Sequence, residues 1–123
     1  MTVNAITGLK AGQDLSTRQF HFVTVSNDWT VILARQQDQD YALGVVLGKP
    51  ENGEPCDIAV AGSVVKVKTG APVAAGYHVT NDTIGRAIQA STSGNLVHGM
   101  ALQTASTAGD IIYVLLETSH TLK

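Results

Sequence analysis

Glycine and proline recur along this chain at intervals too short for long helices. The 12 Gly and 3 Pro, with clusters of Asn, interrupt almost every stretch before apolar residues at helical spacing could complete three turns. The segments between them are rich in β-branched residues, with 14 Val, 7 Ile and 13 Thr among 123 residues. The pattern predicts an all-β chain, folded as a small β-barrel or β-sandwich of about nine short strands.

Turn signals divide the chain into these strands and leave the two termini outside them. The predicted strands are Gln19–Val25, Trp29–Ala34, Tyr41–Leu47, Cys56–Ala61, Ser63–Lys68, Tyr77–Thr80, Arg86–Ala90, Leu96–Gln103 and Ile111–Glu117. A short helix over Asp14–Gln19 is an alternative for one segment, because Asp14 and Ser16 are good helix caps. We predict an N-terminal arm over residues 1–10, one β domain over residues 11–117 and a polar tail over residues 118–123.

The two halves of the sequence echo each other. Phe22-Val23-Thr24 matches His78-Val79-Thr80 at an offset of 56, and Ala42–Leu47 matches Val97–Leu102 at an offset of 55. A third match aligns Asp57 with Asp110 at an offset of 53. A duplicated unit of about 55 residues that closes on itself would remove exposed sheet edges. Chance echoes between turn-rich strands are the alternative.

The charge pattern excludes several classes of partner. Eight Lys and Arg against ten Asp and Glu give a net charge of −2, so the basic footprint of a nucleic-acid-binding protein is missing. The longest apolar run, Ile111–Leu116, is far shorter than a membrane-spanning helix. The N-terminus has no basic segment followed by an apolar one, so we expect no signal peptide and synthesis in the cytoplasm.

Residues that could carry chemistry do not fall into a known arrangement. The histidines are His21, His78, His98 and His120, and none of the gaps between them is typical of a metal site. Cys56 has no partner cysteine, and the nearest match to an aspartic-protease loop, Asp82-Thr83-Ile84-Gly85, lacks the glycine at its third position. We therefore predict no metal, no cofactor and no enzymatic activity.

Some predicted strands are apolar on both faces. In Ile111–Leu116 both alternating sets of side chains are apolar, and the same holds for Val45-Val46-Leu47. One face of each strand therefore has to contact another molecule, unless the chain itself covers both faces of the strand. Two further apolar residues lie in the predicted arm. The candidate contacts with a second copy or with another partner are Val3, Ile6, Val45, Leu47, Ile112, Val114 and Leu116.

The second half carries a succession of motifs with a family resemblance. Gly70-x-Pro72-Val73-Ala74-Ala75-Gly76-x-x-Val79-Thr80 is followed by Asp82-x-x-Gly85-Arg86-Ala87, then by Gly99-x-Ala101-Leu102 and by Ala108-Gly109-Asp110 before the last apolar strand. This order resembles that of the decoration, or cement, proteins of tailed-bacteriophage capsids. The longer polar loops of the first half, residues 35–40 and 49–54, depart from that pattern.

The resemblance implies a non-enzymatic virion protein on the capsid exterior. It would be a homotrimer that binds the major capsid protein at three-fold or quasi-three-fold positions and stabilises the head. The alternative is a small β-barrel that binds a ligand or peptide without catalysis. Its contacts would be the turn of His78, Asn81 and Asp82 or the loop over residues 35–40.

Overall fold

A computed structural model describes residues 3–36 and 40–122 of the chain. It confirms the all-β prediction, with ten strands in the described residues. The strands are β1 (Ala5–Ala11), β2 (Phe22–Asn27), β3 (Thr30–Leu33), β4 (Ala42–Val46), β5 (Pro55–Val60), β6 (Val64–Lys68), β7 (His78–Asn81), β8 (Ala87–Gln89), β9 (Leu96–Ala101) and β10 (Ile111–Thr121).

The first five strands close into a barrel. Their order is β1-β3-β2-β4-β5, and β1 closes the barrel by pairing antiparallel with β5 and parallel with β3. Closure removes the unpaired edges that would otherwise invite aggregation. The barrel core contains Leu9, Leu15, Val23, Val31 and Ile58, all buried.

The last five strands repeat this topology. Their order is β6-β10-β9-β7-β8, and a parallel bridge from Thr69 to Ala87 links the end of β6 to β8, as β1 pairs with β3 in the first barrel. We call these units the first and second barrels, although the second is a five-stranded sheet whose end strands are joined only by this bridge. The duplicated unit predicted from the sequence echo is therefore present as a repeated topology.

The repeat extends to individual turns. Gly53 donates its N–H to the Ala11 carbonyl at 2.8 Å, and Gly109, 56 positions later, donates to the Thr69 carbonyl at 2.7 Å. This pairing corrects the third predicted match, because the offset stays at 56 instead of falling to 53. Gly44 and Gly99 are also equivalent. At each, a Cβ would collide with a carbonyl of the neighbouring strand.

Strand β1 was not among the predicted strands. It covers much of the segment predicted as an arm, and Ile6 pairs with Ile58 while Leu9 pairs with Cys56 inside the barrel. A bulge between Ile6 and Leu9, where Gly8 has a φ of 83°, interrupts the alternation that would have revealed the strand. At the other end, β10 continues to Thr121 through most of the predicted tail.

Strands β2 and β3, which overlap two of the predicted strands, form a hairpin whose turn is Asp28-Trp29. The alternative helix over Asp14–Gln19 is absent. Asp14 instead accepts the N–H of Ser16 at 3.0 Å in a turn. The segment holds Leu15 in the barrel core, because Leu15 donates its N–H to the Pro50 carbonyl at 2.9 Å.

Candidate functional site

The predicted contact residues are mostly part of the chain's own core. Val45 and Val114 are fully buried, and Ile112 and Leu116 are 3% exposed. Ile6 and Leu47 are partly buried against the two cores, and only Val3, half-exposed, is freely accessible. The prediction selected the inward face of β10, which the structure corrects. The alternative that one chain covers both faces of this strand does not hold, because Ile111 and Leu115 on its other face are exposed.

The outward face of β10 is exposed and apolar. It consists of Ile111, Tyr113 and Leu115, of which Ile111 is 50% and Leu115 36% exposed. The strand β6 carried the signal that could have identified this face. Lys66 pairs with Tyr113 and Lys68 with Ile111, and residues paired across two strands point to the same side of the sheet.

The apolar surface continues across the second barrel onto its other strands. Leu115 pairs with Met100, and Leu102, which donates its N–H to the Tyr113 carbonyl at 2.9 Å, is also exposed. Tyr77 lies beside them at the entry to β7 and is 53% exposed. Exposed apolar residues gathered on one side of a small protein mark an interaction surface more often than scattered ones do.

A second apolar surface lies on the first barrel. Val25, Trp29 and Tyr41 are all more than half exposed. Val25 and Tyr41 border an open groove of about 590 Å³. The groove is lined by Thr24, Val25, Ser26, Ile32, Asp40, Tyr41, Ala42 and Leu43. Aromatic side chains are the residues most often found at the energetic centres of protein interfaces.

Trp29 holds a backbone conformation that side chains disfavour. Its φ is 55°, and the equivalent residue of the second barrel, 56 positions later, is Gly85 with a φ of 80°. Phe20, with a φ of 66°, likewise corresponds to Gly76 of the second barrel. Phe20 packs against the core, whereas the Trp29 side chain is exposed, so the first barrel holds a strained tryptophan at a hairpin tip.

A buried polar network connects the two barrels. His98 is 1% exposed, and its Nε2 lies 2.7 Å from Asn81 Oδ1 while its Nδ1 lies 2.8 Å from Ser119 Oγ. Ser119 Oγ accepts the N–H of Ala42 on β4 at 3.1 Å. Because the Asn81 amide nitrogen already donates to the Asp82 carbonyl, Asn81 Oδ1 accepts and His98 Nε2 carries the proton. Burial lowers the pKa of His98 to about 4.

These contacts remove the predicted ligand-binding turn. Asn81 is fully buried and occupied by His98, and Asp82 accepts the N–H groups of Ile84 and Arg86 while it pairs with the Arg86 guanidinium at 2.8 Å. Asn81 and Asp82 are thus held from within, whereas Nδ1 of His78, the third residue of the predicted turn, is buried without a hydrogen-bond partner. The other predicted ligand-binding loop covers residues 35–40, of which residues 37–39 lie outside the described residues. Asp40 accepts the N–H groups of Arg35 and Gln36.

The described residues hold no group of three or more His, Cys, Asp or Glu that could bind a metal. Cys56 is packed in the first barrel, where its Sγ lies 3.3 Å from the Leu9 carbonyl, and burial raises the pKa of its thiol. A buried thiol of raised pKa is a poor nucleophile. Among the described residues, no helix is long and apolar enough to cross a membrane.

Comparison with known proteins agrees with the fold and points to a class of protein. The family model described as phage cement protein matches residues 4–116. The crystal structure of the head fiber gp8.5 N base in bacteriophage phi29 is similar in fold, with a TM-score of 0.71 over 99% of each chain at 15% sequence identity. No curated protein matches the sequence. At this identity, the likeness to the head fiber base is a likeness of fold.

Proposed function

The chain belongs to the phage cement protein family, and from this membership we propose that it binds the outer surface of a phage head and stabilises it. The match over residues 4–116 is the observation that carries the proposal, because it spans both barrels. The proposed partner is the major capsid protein, at three-fold or quasi-three-fold positions, and the proposed form is a homotrimer. The protein would be made in the host cytoplasm and act in the virion without catalysis.

The mechanism is additional burial across the seams between capsid subunits. A protein that binds the assembled shell and not its separated subunits stabilises the assembly, by about 2.7 kcal/mol per site at a free concentration of 100 times Kd. The closed first barrel suits this role, because it presents side chains to a partner without offering unpaired strand edges to it. The strands of the chain thus supply a rigid surface for adhesion.

We place the head contact on the outward strip of β6 and β10. Ile111 is half-exposed at one end of this strip, where it pairs with Lys68, and Tyr113 pairs with Lys66 beside it. An apolar centre with charged residues at its rim is the usual composition of a protein interface. Val3, exposed near the N-terminus, is retained from the predicted contacts as a second candidate.

Co-sedimentation with undecorated phage heads tests the proposal. The wild-type protein should pellet with heads and saturate at a fixed number of copies, and it should raise the temperature at which the heads open. Ile111→Asp should weaken binding by at least about tenfold, because it places a charge on the most exposed apolar residue of the proposed contact.

Asn52→Asp is the matched control, because it adds the same charge at an exposed turn between β4 and β5. This variant should bind heads as the wild type does. A wild-type protein that never pellets with heads would refute the proposed function. Equal binding by Ile111→Asp would refute the proposed contact.

A further inference from the structure

The two barrels of the chain contact each other through different surfaces. One end of the second barrel, which carries Gly85, His98 and Leu116, lies on the outer wall of the first. Phe22 on that wall donates its N–H to the Gly85 carbonyl at 2.7 Å, and its ring centroid lies 5.0 Å from that of His98. We call these two surfaces the docking end and the wall.

The wall of the first barrel is fully covered. Phe22, Val45 and Ala59 have no exposed surface, and they form one core cluster with Val114 and Leu116 of the second barrel. A contact of this kind, in which two related units use different surfaces, is heterologous. It leaves one docking end and one wall of the repeat without a partner inside the chain.

The unused docking end is on the first barrel. By the repeat offsets of 55 and 56, its members Trp29, Leu43 and Val60 correspond to Gly85, His98 and Leu116. Val25 and Tyr41, which correspond to Asn81 and Leu96, extend it. Trp29 and Tyr41 are each 63% exposed, whereas the corresponding residues of the second barrel are buried.

The unused wall is on the second barrel. Its residues His78, Met100 and Leu115 correspond to Phe22, Val45 and Ala59, and Tyr77 and Leu102 adjoin them. His120 covers part of His78, with ring centroids 6.3 Å apart, and the rest of the wall has no partner among residues 3–36 and 40–122. Of the eight large apolar residues exposed in the described part of the chain, six lie on these two surfaces. They are Val25, Trp29 and Tyr41 on the end, and Tyr77, Leu102 and Leu115 on the wall.

We infer that a second copy of this chain covers these surfaces, with the docking end of one copy on the wall of the next. Continuity with the interface inside the chain favours this occupant, because the surfaces left over are the counterparts of a pair that already binds. A heterologous contact closes into a ring when its rotation allows. The inference thus supplies the contact of the proposed homotrimer, and three copies would complete the ring.

Trp29 makes the contact between copies different from the one inside the chain. A Cβ at Gly85 would lie 2.7 Å from the Phe22 carbonyl oxygen and 3.1 Å from Leu33 Cδ2, so no side chain fits there. In the contact between copies, the indole would therefore lie between the end and the wall, over Tyr77, His78 and Gln89, which are the counterparts of the residues around Gly85. This position gives the strained tryptophan a role as the anchor of the interface.

Mixing two complementary variants tests the inference. Trp29→Asp damages the docking end and leaves the wall intact, whereas Leu115→Asp damages the wall and leaves the docking end intact. Both residues are exposed, and aspartate tolerates the positive φ of Trp29. Light scattering after gel filtration should give an oligomer for the wild type and for the control Asn52→Asp, and a monomer for each of the two variants alone. An equimolar mixture should give a dimer of twice the monomer mass, joined by the one undamaged end and wall.

Each other outcome overturns the inference. A wild-type protein that stays monomeric at hundreds of micromolar excludes the second copy as the occupant. A mixture that stays monomeric beside an oligomeric wild type excludes the heterologous pairing. Head binding is measured separately: Ile111→Asp, which damages the proposed head contact, should still form the oligomer, so failure of one proposal does not depend on the other.

Discussion

The buried His98 predicts that the protein loses stability in mild acid. Its imidazole is 1% exposed and has to be neutral, because burial holds its pKa at about 4 while an unfolded histidine titrates near 6.5. Nearby charges act on it in opposite directions, Asp40 raising the pKa and His120 lowering it. Between pH 6.5 and pH 4 the unfolded chain therefore binds a proton that the folded chain does not.

The size of the effect follows from linkage. The contribution of His98 to stability is complete above pH 6.5, is lost as the pH falls, and is gone below about pH 4. A difference of about 2.5 pKa units corresponds to about 3 kcal/mol. His21 adds to the loss with the same sign, because burial lowers its pKa too. A loss of this size is a large part of the stability of a small domain.

Urea unfolding at pH 7 and pH 4 measures this loss. The wild type should lose about 3 kcal/mol from His98. His98→Gln keeps a hydrogen-bonding side chain without a titrating proton, so its stability should fall much less between the two pH values, whatever its stability at pH 7. His120→Gln, which removes an exposed histidine, should keep most of the wild-type loss. A His98→Gln protein with the wild-type pH dependence, or an NMR titration of His98 near pH 6.5, would refute the reasoning.

Four further substitutions test the assignment of faces and turns. Leu115→Asp should fold with the circular dichroism of the wild type, whereas Leu116→Asp, which buries a carboxylate at a position 3% exposed, should lose several kcal/mol or fail to fold. Trp29→Gly should raise the unfolding free energy of the monomer by about 1 kcal/mol, because glycine relieves the strain of the positive φ, and it should weaken self-association. A monomer whose stability is unchanged or lower would contradict the inference that Trp29 is strained. Gly44→Ala should destabilise the first barrel by more than about 2 kcal/mol in thermal unfolding, because its Cβ would collide with the Ala59 carbonyl; a Tm equal to that of the wild type would contradict the close packing of β4 on β5.

Local patterns were sufficient to predict most of the strands. The alternation of Val65 and Val67 with Lys66 and Lys68 predicts one buried and one exposed face, and the structure has β6 in that orientation. The bulge at Gly8 hid β1, because a bulge shifts the alternation by one residue and the pattern then matches neither a strand nor a helix.

The faces of β10 needed information from another strand. Both sets of side chains in Ile111–Leu116 are apolar, so periodicity within the segment cannot say which set is inside. The register with β6 decides it, since Tyr113 lies opposite Lys66. The docking end and the wall depend on contacts between residues about 60 positions apart, such as Phe22 and Gly85, and no local pattern records these contacts.

The composition of the uncovered wall argues that it has a partner. Equivalent positions of two barrels have the same place in the strand, so they differ in burial only through what covers them. His21 is 2% exposed on the covered side and its counterpart Tyr77 is 53% exposed. A wall that faced only water would gain nothing from apolar side chains, yet the counterpart of Ala59 is the larger Leu115. The duplication thus produced one contact between an end and a wall inside the chain. It also left one docking end and one wall exposed, and these can make the same kind of contact with another copy.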